Sequence, residues 1–421
     1  MKYAVMIVLL VAASLGSTAI QAQEKPPGAN VESLLDYART RNPEYTALRL
    51  EAEAAGERAV PAGALPDPRL RTELMDITKS GQQDATLSPS RTGSARYTLM
   101  QEIPWFGKRD LKREIAEFEA EGAEGKALGS WAEIAARIKS AYAQRFYLDR
   151  NELLTREILD LMIHLEKVAQ ARYAGGLSAQ QDVIRAQVEQ TGMQNELIAL
   201  NNEQRRVQAR LNALLGRGAV APLAAPVKLR MLPPPARLDY ATLEERVRAR
   251  NPQLFTDESR LRAAEKNRDL TYKNRYPDVT VGIAPNQVRN SIKQWNLMVE
   301  LNIPFQQSSR RAQEREAEAM LSAAKARKEA TANQLLSELS ESLAGMEAAR
   351  QTENLTRTSL LPQAELSFRA ALAGYENGKL DFATLLDAQR QIRLARQSQI
   401  KAEAEAQVRL AEIERLLGEE L

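Results

Sequence analysis

Several residue types and patterns are scarce in this 421-residue chain, and each scarcity excludes something. There is no cysteine, so disulfides, thiolate metal sites, cysteine nucleophiles and a lipid on an N-terminal cysteine are excluded. There is one histidine, His164, in a helical stretch beside Leu161, Met162 and Leu165. A lone helical histidine is a packed or surface residue before it is a ligand or a base. No glycine-rich phosphate loop follows a strand, and no Ser/His/Asp set occurs, so no enzyme and no cofactor are expected. Eight methionines follow residue 22 without a Met-x-x-Met cluster; they read as packing, and no metal site is expected. Beyond that residue no stretch approaches eighteen apolar residues, the length that would mark a transmembrane helix. Aromatics make up only 5%.

What is present is Ala, Leu, Glu, Gln and Arg, with 27% charged residues, the composition of long helices or coiled coils. The formal net charge is only +3, and Lys and Arg are interleaved with Glu, so no nucleic-acid stripe is expected. The N-terminus carries Lys2, an apolar run from Ala4 to Ala13 too short to span a bilayer, and a small residue at Ala22. Residues 1–22 therefore read as a cleavable secretory signal peptide. An exported chain without a membrane helix can enter a membrane only as a barrel.

The chain then repeats itself. Arg41-Asn42-Pro43 recurs as Arg250-Asn251-Pro252, 209 residues later, and Ile103-Pro104 as Ile303-Pro304, 200 later. The segment Arg172 to Gln187 parallels Gly374 to Gln389, and Leu211 to Arg217 parallels Ile413 to Glu419, both 202 later. A segment with five prolines, 216–238, separates a first repeat, 23–215, from a second, 239–421. Before the first repeat's helix, Gln23 to Asn30 is expected to run extended along the outside.

Each repeat has one grammar: a helix (31–60; 239–274), two strands (68–77 and 95–103; 277–285 and 292–303), a very long helix (108–174; 308–374) and a returning helix (178–215; 381–417). A 67-residue helix is about 100 Å long and needs a bundle or coiled-coil setting. Leu336, Leu339, Leu343 and Met346 supply such a seam. Pro362 must kink the second long helix or mark a join.

The strands alternate. Trp295, Leu297, Val299, Leu301 and Ile303 lie on one face, with Asn296, Met298, Glu300 and Asn302 on the other. Tyr97, Leu99 and Ile103 oppose Arg96, Thr98, Met100 and Glu102; Val279, Val281 and Ile283 oppose Thr280, Gly282 and Ala284; Leu70, Thr72 and Leu74 oppose Arg69, Arg71 and Glu73. Residues 78–93 and 285–291 read as hairpin loops. A soluble sandwich and an outer-membrane barrel both fit this pattern. If the strands span a membrane the chain must oligomerise, because four strands cannot close and an open edge cannot face lipid; three copies would supply twelve. At the strand-to-helix junctions, Pro104 and Pro304 end the ladders, Trp105, Phe106 and Phe305 suit a membrane boundary, and Gly107 turns the chain. Ser308 or Ser309, Ser178 and Asp381 stand where helix N-caps belong.

This grammar resembles the TolC-type outer membrane efflux family over essentially the whole mature chain. The resemblance is carried by Tyr375, Gly378, Leu385, Asp387, Ala388 and Gln389, by their counterparts Tyr173, Gly176, Ser178, Asp182, Ala186 and Gln187, and by Pro362-Gln363-Ala364. The string QEIPWFGKRDLKREIA is similar to the heavy-metal efflux branch of CzcC/CusC type. The resemblance implies an α+β membrane protein, mostly α, whose homotrimer forms a twelve-stranded β-barrel in the outer membrane, continued by a periplasmic α-helical barrel. It implies a periplasmic membrane-fusion adaptor and an inner-membrane resistance-nodulation-division pump as partners, outer-membrane lipid around the barrel, and a passive conduit for heavy-metal cations. It places adaptor docking at the helix tips, Tyr173, Gly176, Ser178, Tyr375, Gly378 and Lys379, and a periplasmic gate at Asp381, Thr384, Asp387 and Asp182. The contrasting expectation is a secreted periplasmic coiled-coil scaffold without a conduit.

Overall fold

A computed structural model describes residues 26–421; the expected signal peptide lies outside the described residues. Four strands form one antiparallel sheet in the order β1 (Arg69–Met75), β2 (Ser94–Ile103), β3 (Val279–Val288), β4 (Ser291–Leu301). The helices are α1 (Val31–Arg41), α2 (Pro43–Glu57), α3 (Ala59–Gly63), α4 (Lys108–Ala174), α5 (Gln180–Leu214), α6 (Tyr240–Arg250), α7 (Pro252–Lys273), α8 (Gln307–Leu355), α9 (Leu361–Glu376) and α10 (Phe382–Leu417).

The single opening helix expected in each repeat is in fact broken at the Asn-Pro pair, into α6 and α7 in the second repeat and into α1, α2 and the short α3 in the first. Proline at the first helical position costs nothing there but cannot continue a preceding helix. Asn42 is at once the end of α1 and the cap of α2: its Oδ1 accepts from the Tyr45 N–H at 2.9 Å, while Nδ2 donates to the Leu214 carbonyl at 2.7 Å. Asn251 does the same between α6 and α7, accepting from the Gln253 and Leu254 amides and donating to the Leu416 carbonyl at 2.8 Å. The repeated tripeptide is thus a clamp between a helix start and the last turn of α5 or α10.

The second long helix is also not continuous. A π-helical turn, Thr356–Leu360, separates α8 from α9, directly before Pro362. The widened turn makes room for a ring that would otherwise strike the carbonyl one turn back. Neither Ser308 nor Ser309 caps α8; Gln306 precedes it without a side-chain cap bond. The second hairpin is tighter than expected. Residues 285–288 extend β3, Ser291 begins β4, and the turn is Arg289-Asn290 with Arg289 at φ +55°. Pro285 is tolerated because the β2–β3 ladder skips from Arg96–Asn286 to Leu99–Ile283 and Pro285 falls in the gap.

Helix order follows strand order. α4 packs between α2 and α7, and α8 packs on α7, so the sheet continues as a layer α2-α4-α7-α8. Further along, α4 lies against α5 and α10, and α10 against α8 and α9. Three apolar clusters hold the layer. One joins α1 to α4 and α5 around Leu34, Ile138 and Leu211; its counterpart joins α6 to α8 and α10 around Leu243, Leu339 and Ile413; a third joins the far ends of α4, α5, α9 and α10 around Met162, Tyr375 and Phe382. The proline-rich segment crosses the first two without regular structure, apart from one 3-10 turn, Pro235–Arg237. Side chains satisfy its carbonyls instead: Tyr142 Oη donates to Lys228 O, Asn212 Nδ2 to Ala219 O and Ala221 O, and Gln407 Nε2 to Arg230 O. The N-terminal segment runs beside it, with Pro27 O and Ala29 O accepting from the Ala224 and Val227 amides.

Candidate functional site

Three places bear the expected site residues: the sheet, the strand-to-helix junction and the helix tips.

In the sheet, register aligns the alternation of all four strands. Leu70, Leu99, Ile283 and Leu297 pair in one straight rung. These four side chains are between 48% and 76% exposed, an apolar row that no helix covers. The opposite face carries Arg71, Glu73 and Arg96, linked by ion pairs of 2.6 and 3.7 Å, and the rung Glu102–Thr280–Glu300. One face is therefore mainly apolar and the other carries the charges, across strands from both repeats. The sheet remains open along β1 and β4.

At the junction, Gly107 adopts φ +77° and leads into α4. Its position faces the Lys273 ammonium so closely that a Cβ would fall 2.2 Å from Nζ. Lys108 is buried and bridges the repeats, donating to Asp278 Oδ1 at 2.8 Å and Tyr276 O at 2.9 Å. The Trp105 amide donates to the same Asp278 oxygen, and the Trp105 ring stacks flat on Tyr276 at 5.3 Å. Phe106 and Phe305 stay exposed. Asp278 and Tyr276, which lock this corner, had no signature of their own in the sequence; the lock depends on a segment 170 residues from Lys108.

The two tips differ. At the first, Gly176 takes φ +71° and α5 starts after Ala179, which has no side-chain cap bond. Ser178 does not cap α5; its hydroxyl turns back toward the Ala169 carbonyl at 3.5 Å. At the second, Gly378 takes φ +71° and Asp381 caps α10, accepting from the Thr384 amide at 2.9 Å and its hydroxyl at 2.5 Å. Thr384 is thus the partner of a cap. These hydrogen bonds, aided by Arg185, hold the Asp381 carboxyl below the usual range. Burial pushes Asp182 up, Arg185 opposes this, and Asp381 adds to it. Tyr375 is buried against Phe382, whereas Tyr173 and Lys379 are exposed. Arg172 ties the tips together: its guanidinium lies 5.0 Å over Tyr375 and donates to Glu376 O at 2.8 Å.

One turn above Thr384, Asp387 is largely exposed and lies 3.7 Å from Arg390, which also pairs with Glu189 of α5. Arg393 and Gln397 continue the line to Glu196. A groove of about 400 Å³ runs here between Ile184, Val188, Glu189, Leu386, Asp387 and Arg390. Of the expected gate residues, Asp182 and Asp381 come near each other, while Asp387 belongs to this arginine–carboxylate line. The spacing of Asp387 and Arg390 was readable; the cross-helix partners Glu189 and Glu196 were not. Among the described residues no cluster of three or more His, Asp or Glu is placed to hold a metal, and no helix is long and apolar enough to cross a membrane.

Comparison with known proteins adds the following. A family described as "Outer membrane efflux protein" matches residues 34–217 and 243–419. The cobalt-zinc-cadmium resistance protein CzcC of Cupriavidus metallidurans is 26% identical over 396 residues, covering 92% of this chain and 90% of that one. Solved structures of CusC (TM-score 0.80, 18% identity, 93% of this chain, 92% of that one) and of the outer membrane protein VceC from Vibrio cholerae (TM-score 0.78, 19% identity, 93% and 96%) share the fold.

Proposed function

This chain belongs to the outer membrane efflux protein family, and from that premise we propose that it is the outer-membrane exit channel of a tripartite efflux system. Three copies close three four-stranded sheets into one twelve-stranded barrel, which the helical layers continue through the periplasm. A periplasmic adaptor and an inner-membrane resistance-nodulation-division pump deliver the substrate, and the channel conducts it passively; it is not an enzyme.

The observation that carries this reading is the sheet. It combines an uncovered apolar face, an opposite polar face and two unpaired edges. In water the apolar face would be a liability, and in lipid the edges would be. Closure with further copies in a membrane removes both at once. The helical flanks support it: Ile198 is exposed on α5, and Leu366 on α9 beyond the π turn, at opposite margins of the layer. A secreted scaffold would leave all of these surfaces without a purpose.

The substrate class is heavy-metal cations. Support comes from likeness to a cobalt-zinc-cadmium resistance protein and from carboxylates at the periplasmic end. Asp387, repeated by threefold symmetry, is the gate acid, with Asp182 nearby; Asp381 and Thr384 act by holding the start of α10. The tips Tyr173, Gly176, Ser178, Gly378 and Lys379 form the adaptor-facing surface, with Tyr375 supporting it from inside. Pro104, Trp105, Phe106, Pro304 and Phe305 sit at the membrane boundary.

The decisive experiment is fractionation with heat-modified gel mobility, followed by conductance in planar bilayers. A heat-labile trimer in the outer membrane that conducts is expected; a chain wholly in the soluble periplasm refutes the channel. Deletion should sensitise cells to cobalt, zinc or cadmium. Sensitivity to organic drugs alone would refute the substrate class.

A further inference from the structure

Two methionines that are 198 residues apart in sequence meet on the polar face of the sheet. Met100 of β2 and Met298 of β4 both pair with Gly282 of β3. A Cβ at Gly282 would lie 3.1 Å from Met298 Cε and 3.2 Å from Met100 Cγ, so both side chains lean over the glycine from either side. Met298 is the one half-buried residue in a strand that is otherwise exposed throughout. Two positions closer to the helices on the same face comes the rung Glu102–Thr280–Glu300. Arg69 pairs with Met100 at the edge, and its guanidinium reaches toward Glu102 at 3.9 Å.

We propose that Met100 and Met298 form a thioether site for a soft monovalent cation, Ag(I) or Cu(I), on the inward face of the barrel. Thioethers are neutral, polarisable ligands that favour soft ions over hard ones. Glycine between them is what allows the approach, since any side chain on β3 would separate them. The carboxylate rung lies between the site and the helical barrel, where it attracts cations arriving from the periplasmic side. Threefold repetition places three such pairs around one level of the lumen. Two thioethers with no thiolate bind such an ion weakly enough to release it, as a conducting path requires. That this face is the lumen rests on the channel reading; the convergence of the two methionine side chains over Gly282 does not.

The test uses the mature chain, labelled with ¹³C-methyl methionine, as trimers in detergent micelles titrated with silver nitrate. The methyl signals of Met100 and Met298 should shift and saturate together. The six other methionines, including exposed Met231 and Met320, should not. Met100→Leu should abolish the Met298 shift, and Met298→Leu the Met100 shift. Gly282→Ala, which inserts a Cβ between them, should abolish both. The inference is overturned if no methyl shifts, if Met231 and Met320 move in parallel with the pair, or if either partner still responds when the other is leucine. Conductance of the same trimers in planar bilayers keeps the two readings apart: conducting trimers without the paired shift refute the thioether site alone, and paired shifts without conductance refute the channel alone.

Discussion

The two repeats use one framework and finish it differently. Both clamp the last turn of their returning helix with an asparagine, Asn42 on Leu214 and Asn251 on Leu416, and both follow it with a left-handed glycine, Gly216 and Gly418. The residue in the middle of that last turn differs. The first repeat has buried Asn212, which holds two carbonyls of the proline-rich segment. Its counterpart 202 residues later is buried Glu414, which accepts from Lys139 and Arg230 at 2.8 to 3.0 Å. A neutral amide suffices where the neighbour is the chain's own backbone. A charge appears where the second repeat must attach to the first repeat's long helix and to the connecting segment. At the tips the contrast is similar: α10 starts with a capped Asp381 over a buried Tyr375, α5 with an uncapped Ala179 beside an exposed Tyr173.

The largest effect should come from breaking that charged attachment. Glu414→Ala removes the carboxylate shared by Lys139 and Arg230 and leaves Lys139 only the exposed Glu420, a loss of up to about 3–5 kcal/mol for a buried pair, read as a large drop in Tm. Asn212→Ala should cost less, about 1–3 kcal/mol, because only neutral hydrogen bonds are lost. A Tm loss for Asn212→Ala equal to that for Glu414→Ala would break the comparison.

The same carboxylate should show in acid. Burial alone would raise its pKa, but the hydrogen bonds from Arg230 and the charges of Lys139 and Arg230 outweigh this and hold it below the ordinary carboxylate range. The folded state therefore binds fewer protons than the unfolded chain near the ordinary value. The contribution is complete above that value and is lost as pH falls through the folded pKa. Glu414→Gln should flatten this part of the acid-stability curve; an unchanged curve would remove the assignment.

Asn42→Ala and Asn251→Ala should each cost about 0.5–2 kcal/mol as lost caps, and by similar amounts if the clamps are equivalent. Unequal Tm shifts would show that the repeats share the motif without sharing its weight. At the tips, Asp381→Ala should speed hydrogen exchange at the Thr384 amide, and Ala179→Asp should slow it at the corresponding turn of α5. Smallest in stability is Asp387→Ala, since its exposed pair with Arg390 is worth about 0–1 kcal/mol. Its effect should fall on single-channel conductance and cation preference instead. Unchanged conductance in an Asp387→Ala trimer would sink the gate assignment.

Much of the fold was readable because it is written locally. A 3.6-residue spacing with few breakers makes α4 continuous from Lys108 to Ala174, and alternation places Leu297 and Val299 opposite Met298 and Glu300. Asn-Pro was visible as a repeat, but its consequence was not. A helix break depends on the residues after it, and the clamp on Leu214 depends on a carbonyl 172 residues away. The serine caps failed too: the Ser178 hydroxyl turns to the Ala169 carbonyl of the preceding helix, and α8 begins before Ser308. At the tips, Tyr173 and Tyr375 look alike in sequence, yet only one is buried.

By itself, then, the sequence determined the two repeats, the faces of their strands and the family. These follow from periodicity and punctuation, which act over a few residues. Only the tertiary structure decided which distant groups meet: Lys108 with Asp278, Glu414 with Lys139, Glu189 with Arg390, and Met100 with Met298 over Gly282. Cross-strand register and helix packing place these partners, and both are set by the whole chain closing around its cores.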